Sequence, residues 1–192
     1  MPGKIILVTG GARSGKSEFA ERYVLHYSPK CDYIATAEIL DEEMAERVRL
    51  HRQRRDERWI NHEAPYHAEQ VFASLSEITG AVLFDCLTIY MSNLLYGKNA
   101  PKGDFFERCT AVLADIDKVL EAARDCGKTV VFVSNEVGSG IVPDNQMARE
   151  YRDLAGWVNQ KVAGAADCVY YCVAGQAVDV KKLAFKFDDE GE

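Results

Sequence analysis

The chain has 192 residues, 47% hydrophobic and 28% charged with only five prolines, a balance that allows a buried core and excludes extended disorder. A net charge of −7 disfavours bulk nucleic-acid binding, and no apolar run approaches the ~20 residues needed to cross a bilayer. No basic stretch followed by a long apolar run opens the chain, so the reading is a cytoplasmic protein of one domain, 1–192.

In chain order, strand-like and helix-like segments alternate, the pattern of an α/β fold with a mostly parallel central sheet flanked by helices. Lys4 to Thr9 is a short apolar run and reads as a buried strand. A glycine-rich loop follows, then a helix from Lys16 to about His26 that places Phe19, Tyr23 and His26 on one face. Tyr33 to Thr36 reads as a second strand. Asp41 to about Arg54 reads as a helix, with Met44, Val48 and His51 at i, i+4 and i+7. Ala81 to Phe84 is a third strand ending at Asp85, and Thr88 to Leu95 is a helix that stops near Gly97. Lys98 to Asp104 is a surface loop. Phe105 to Asp125 is a long helix closed by Cys126 and Gly127, as glycine commonly closes helices. Thr129 to Ser134 is a strand, Asn135 to Asp144 a Gly- and Pro-marked loop, and about Asn145 to Ala163 a helix. Cys168 to Val173 is a last apolar strand, followed by a short one at Ala177 to Val180 and an acidic tail, frayed from about 184. Six cysteines are scattered with no C-x-x-C pair and read as small buried hydrophobes, neither zinc ligands nor disulfides.

The chemistry concentrates in few places. Gly10, Gly11, Ala12, Arg13, Ser14, Gly15, Lys16 and Ser17 fit G-x-x-x-x-G-K-[ST], between a strand and a helix. In that setting successive backbone N–H groups turn toward phosphates, Lys16 reaches the β/γ oxygens and the Ser17 hydroxyl can ligate Mg²⁺. The expected fold is therefore P-loop NTPase-like. Asp85, at a strand end, suits either a carboxylate on the Mg²⁺ side of a triphosphate or a helix cap. Six arginines fall between Arg47 and Arg58, a local cationic cluster that suits a polyanion or a solvated helix face. His51 lies among them. It is either a half-packed helix residue or a nucleophile, kept neutral by its cationic neighbours and ready to take a nucleotidyl group.

With these residues in view, the chain from Ile5 to Val173 resembles the bifunctional adenosylcobinamide kinase / adenosylcobinamide-phosphate guanylyltransferase family of cobalamin biosynthesis. The resemblance is carried by Leu7 to Ser17, by Tyr33 to Thr36 and Asp41 to Ala45, and by His51 with Arg52, Trp59 and Glu63. Its most specific part is Asn135 to Pro143, continuing through Arg149, Arg152, Asp153, Gly156, Asn159 and Gln160. It implies ATP or GTP as phosphoryl donor, GTP as guanylyl donor, Mg²⁺, adenosylcobinamide and its phosphate as acceptors, and a homotrimer. It implies that His51 accepts GMP and that Lys16 acts in catalysis. Thr36, Ala37, Glu38, Arg52, Gln53, Arg54, Arg55, Glu63 and Asp85 join Gly10 to Ser17 as nucleotide contacts, with Ser17 and Asp85 on the metal. Two positions depart from the family pattern: Asp56 replaces a proline after the arginines, and Gly175-Gln176-Ala177 lacks one near the end. A simpler small-metabolite kinase and a GTP switch are the other readings, although Asn135-Glu136-Val137-Gly138 does not supply the N-K-x-D element of the latter.

Overall fold

The computed structural model describes residues 2–38, 42, 46, 49 and 56–185. Its elements are β1 (Lys4–Gly10), α1 (Lys16–Tyr27), β2 (Cys31–Ala35), β3 (Trp59–Glu63) and α2 (Ala68–Val71), which runs into a 3₁₀ turn (Phe72–Ser74). Then come β4 (Ala81–Asp85), α3 (Leu87–Tyr96), α4 (Phe105–Asp125), β5 (Thr129–Asn135) and α5 (Gln146–Ala165). The chain closes with β6 (Cys168–Val173), β7 (Gln176–Asp179) and α6 (Val180–Leu183). The strands form one sheet in the order β3-β2-β4-β5-β1-β6-β7. All neighbours are parallel except β6 and β7, which are antiparallel.

The middles of β1, β4 and β5 are unbroken apolar runs, as befits strands covered by helices on both faces. Ile5 and Leu7 of β1 face one core with Val130 and Phe132 of β5, Val82 and Phe84 of β4, and apolar residues of α2 to α5. Ile6 and Val8 face the other core with Val131, Val133, Leu83 and the Ala20 and Val24 stripe of α1. The expected shared face of Phe19 and Tyr23 lies beside that stripe, and His26 alone departs from it. Phe19 and Tyr23 are half-buried against Tyr170, and His26 is exposed.

Helix α4 begins where Asp104 accepts from the Glu107 amide at 3.0 Å while the Glu107 carboxylate accepts from the Asp104 amide at 2.9 Å, a reciprocal capping box. Asn145 caps α5 by accepting from the Ala148 amide. Strand β3 and the short helix α2 were not anticipated from the sequence. The helix expected over 41–54 lies largely outside the described residues; of its positions, Glu42, Glu46 and Arg49 are helical. The tail expected to fray from about 184 also falls outside them, apart from Ala184 and Phe185. All six cysteines are free; Cys31, Cys86, Cys109 and Cys172 are buried and the other two half-buried. Among the described residues, no helix is long and apolar enough to cross a membrane.

Candidate active site

The register of the sheet determines which residues can meet. Glu63, Ala35, Asp85 and Val133 stand level across β3, β2, β4 and β5, and Gly10 is level with Asn135 and Cys172. The glycine loop and both predicted carboxylates therefore lie along one edge of the sheet, at the carboxyl ends of parallel strands, where open α/β sheets take their ligands.

The loop leaves β1 at Gly10 and enters α1 at Lys16. Gly15 has φ 92°, a left-handed conformation that a side chain would strain, so glycine belongs there. The Ser14 amide donates to the Gly11 carbonyl at 3.3 Å, and the Glu136 amide donates to the Gly10 carbonyl at 3.0 Å. Arg13, Ser14, Gly15, Lys16, Ser17 and Glu18 line a concavity of about 300 Å³. Lys16 is buried, and its Nζ donates to the Gly11 carbonyl at 3.0 Å, so a positive charge sits at the root of the loop. The N-terminus of α1 adds its unpaired amides and partial positive charge, a combination that suits phosphate.

Asp85 ends β4, half-buried, with its Oδ2 accepting from the Tyr33 hydroxyl at 2.7 Å. It does not cap α3: the N-cap is Cys86, with no side-chain cap bond. The peptide joining Asp85 to Cys86 is cis. Burial, and then the charge of Asp85, pushes the Cys86 thiol up to about 11, so it stays protonated.

Thr36 lies just beyond β2 and is fully buried. Its hydroxyl donates to the Cys86 carbonyl at 2.9 Å and accepts from the Cys86 amide at 2.8 Å, pinning the end of β2 to that of β4. The Thr36 carbonyl accepts from Asn93 of α3 at 2.8 Å. The Thr36 side chain is thus engaged inside the protein, and Ala37 and Glu38 are the half-buried members of that segment. Glu38 accepts from the Tyr66 hydroxyl at 2.7 Å, with Lys98 Nζ 3.8 Å away. Glu63 is exposed at the end of β3.

Beside the loop, burial disfavours the charge of Glu136, but hydrogen bonds from Ser139 and Gly138 outweigh it and hold its carboxyl below the ordinary range. That carboxylate folds the start of the Asn135–Asp144 loop by accepting from the Gly138 and Ser139 amides. Farther along, Gly138, Arg152, Asp153, Gly156, Trp157 and Gln160 line a second concavity of about 400 Å³, so much of the sequence block around α5 faces one hollow.

His51, Arg52, Gln53, Arg54 and Arg55 lie outside the described residues. Sequence reasoning missed Tyr33 as the partner of Asp85, Tyr66 and Lys98 as partners of Glu38, and Asn93 as the anchor of Thr36. None of these has a local signature, because each contact joins elements far apart in the chain.

A family model described as "Cobinamide kinase / cobinamide phosphate guanyltransferase" (CobU) matches residues 6–180. The bifunctional adenosylcobalamin biosynthesis protein CobU of Escherichia coli K12 is 43% identical over 181 residues, spanning 92% of this chain and 99% of that protein. The protein of the same description from Salmonella typhimurium LT2 is 42% identical with the same coverage. The bifunctional adenosylcobalamin biosynthesis protein CobP of Pseudomonas aeruginosa is 35% identical over 175 residues, covering 91% of this chain and 96% of that protein. Among solved structures, the KaiC-like protein PH0186 of Pyrococcus horikoshii OT3 superposes with a TM-score of 0.49 at 10% identity, covering 88% of this chain and 71% of that one. With matches this extensive, joined to a glycine loop set at the carboxyl edge of a parallel sheet, the chain belongs to the family of bifunctional cobinamide kinases and cobinamide phosphate guanylyltransferases.

Proposed function

We propose that this chain carries both family activities on one domain, 1–192, with adenosylcobinamide as the first acceptor and its phosphate as the second. The observation that carries the reading is that the glycine loop, Asp85 and Glu63 all lie along one edge of the sheet, at the carboxyl ends of its parallel strands. In the first step the cobinamide hydroxyl attacks the γ-phosphorus of ATP or GTP, the bond to the β-γ bridging oxygen breaks, and the nucleoside diphosphate leaves. Gly10 to Ser17 hold the triphosphate through backbone amides, and Lys16 places its charge against the oxygens that gain negative charge.

In the second step an imidazole nitrogen of His51 bonds to the α-phosphorus of GTP and pyrophosphate leaves. A phosphate oxygen of adenosylcobinamide phosphate then displaces the imidazole, giving adenosylcobinamide-GDP and a free His51. Arg52, Gln53, Arg54 and Arg55 contact the same nucleotide, as do Ala37, Glu38 and Glu63, with Thr36 holding their segment in place. Ser17 and Asp85 offer the hard oxygen donors Mg²⁺ prefers, and a single carboxylate beside phosphates is an ordinary set for that ion. Bound there, it would neutralise charge on the phosphates. The working unit we infer is a homotrimer in the cytoplasm.

The test is incubation with α-labelled GTP and Mg²⁺, followed by denaturation. Acid-labile, base-stable label on the protein is the expected result. Its absence, with kinase activity intact, overturns the covalent step and leaves a simple kinase.

A further inference from the structure

The turn of the β6–β7 hairpin touches the glycine loop. Val173 pairs with Gln176, so the turn has two central residues, Ala174 at φ 50° and Gly175 at φ 78°. Left-handed values at both positions define the turn that matches the twist of paired strands, and glycine suits the second position best. The Gly175 amide donates to the Ser14 carbonyl at 3.0 Å. A side-chain carbon on Gly15 would come within 3.0 Å of Gly175 Cα, so the turn and the loop lie in direct contact.

A trans peptide is planar, with its C=O and N–H pointing in opposite directions. A bond that draws the Ser14 carbonyl toward the hairpin therefore directs the Gly15 N–H to the other side. Because Gly15 has no side chain, this peptide is also one of the easiest in the loop to turn over. We propose that Gly175 is a positioning residue of the phosphate site: its amide holds the Ser14–Gly15 peptide in the orientation that presents the Gly15 N–H to a triphosphate. The inference rests on the assignment of Gly10 to Ser17 as the phosphate loop. The hairpin acts on the loop backbone and not on the nucleotide base, so the bare polyphosphate should sense it as strongly as ATP does.

The experiment grades the backbone conformation of the turn, since a Cβ at Gly175 would meet nothing within 4 Å. ATP and inorganic tripolyphosphate are titrated, by calorimetry, into the full chain and its Gly175→Asn, Gly175→Ala and Gly175→Val variants. Asparagine tolerates the left-handed conformation, alanine strains it and valine resists it. Gly175→Val should weaken both ligands about tenfold, Gly175→Ala by less, and Gly175→Asn by no more than about twofold. The alanine variant decides the matter if valine prevents folding. Unchanged tripolyphosphate binding in both the valine and alanine variants overturns the proposal, as does weakening confined to ATP or an asparagine variant as weak as valine. A parent protein that binds neither ligand overturns the phosphate-loop assignment instead.

Discussion

Lys16 is buried with its ammonium on the Gly11 carbonyl, so its charge belongs to the loop and not to the core. Lys16→Ala should lower phosphoryl transfer by on the order of 10²–10³-fold, the usual loss when one preorganised transition-state contact is removed. Its circular dichroism spectrum should match the parent's; kinase activity at the parent rate would remove Lys16 from the mechanism. Asp85 differs because one of its oxygens already belongs to Tyr33. Asp85→Asn should shift the Mg²⁺ dependence of the kinase to higher concentration, with little change in nucleotide affinity measured without metal. Tyr33→Phe should shift it less, because the carboxylate stays and only its tether goes. A Mg²⁺ titration of Asp85→Asn that overlays the parent's would exclude the metal role.

Among the elements, those that are apolar throughout or strongly periodic could be read from the sequence. Val130 to Val133 and Cys168 to Val173 are continuous apolar runs, and Phe105 to Asp125 is a long helical stretch closed by Cys126 and Gly127. Strand β3, Trp59-Ile-Asn-His-Glu63, was not legible because it is an edge strand with mixed polarity; its pairing with β2 defines it. The four-residue helix α2 is too short for a periodic signal. The glycine loop and Asp85 could be located because strand ends are fixed by local pattern, whereas the ties of Thr36 and Glu38 depend on tertiary approach. The helical spacing that carries His51 lies outside the described residues, and its role is testable by chemistry. His51→Ala should lose all labelling by α-labelled GTP while kinase activity persists in part. In the parent, labelling should fall as pH drops and the imidazole protonates, since imidazolium has no lone pair to attack with. His67→Ala should label normally, because His67 is exposed. His62 bonds the buried Asp32 at 2.8 Å, so His62→Ala should melt earlier yet label normally per folded molecule. Label surviving in His51→Ala would reassign the nucleophile. Asp104→Ala, which breaks the α4 capping box, should cost about 1 kcal/mol and lower Tm by about 2–4 °C at unchanged activity, checked by calorimetry.

Across the whole molecule, the two edges of the sheet divide the work. The carboxyl edge carries the loop and Asp85, while two carboxylate clusters, around Asp32 and Asp167, lie toward the other end. Asp32, fully buried in β2, accepts from Thr79 and His62 and lies 3.7 Å from Lys128 Nζ. Asp167 accepts from the Ile5 amide and from Arg124, each at 2.7 Å, and Arg124 also donates to the Gly3 and Ala165 carbonyls. Burial alone would raise the Asp167 carboxyl, but the Ile5 amide and the Arg124 guanidinium together hold it below its ordinary value. A carboxyl held low in the fold adds stability above its unfolded pKa of about 4, and that stability disappears as pH falls through the folded value. Asp167→Asn should therefore lower stability at pH 7 and flatten its decline in acid, as measured by denaturant unfolding across pH. Parallel curves for the two proteins would show that the tie is energetically idle.

The place of β1 in the sheet also bears on synthesis. The strand that ends in the glycine loop is translated well before its two sheet neighbours, β5 and β6, which begin at Thr129 and Cys168. Until those later segments leave the ribosome, β1 has neither of its neighbours, and the Ser14 carbonyl has no Gly175 amide to hold it. Tethered nascent chains that stop before Cys168 should not be retained on ATP-agarose, whereas chains extended well beyond Asp179 should be. Nucleotide capture then acts as a stopwatch for the growing chain: the loop that ends at Lys16 becomes functional only once the hairpin at Gly175 has arrived.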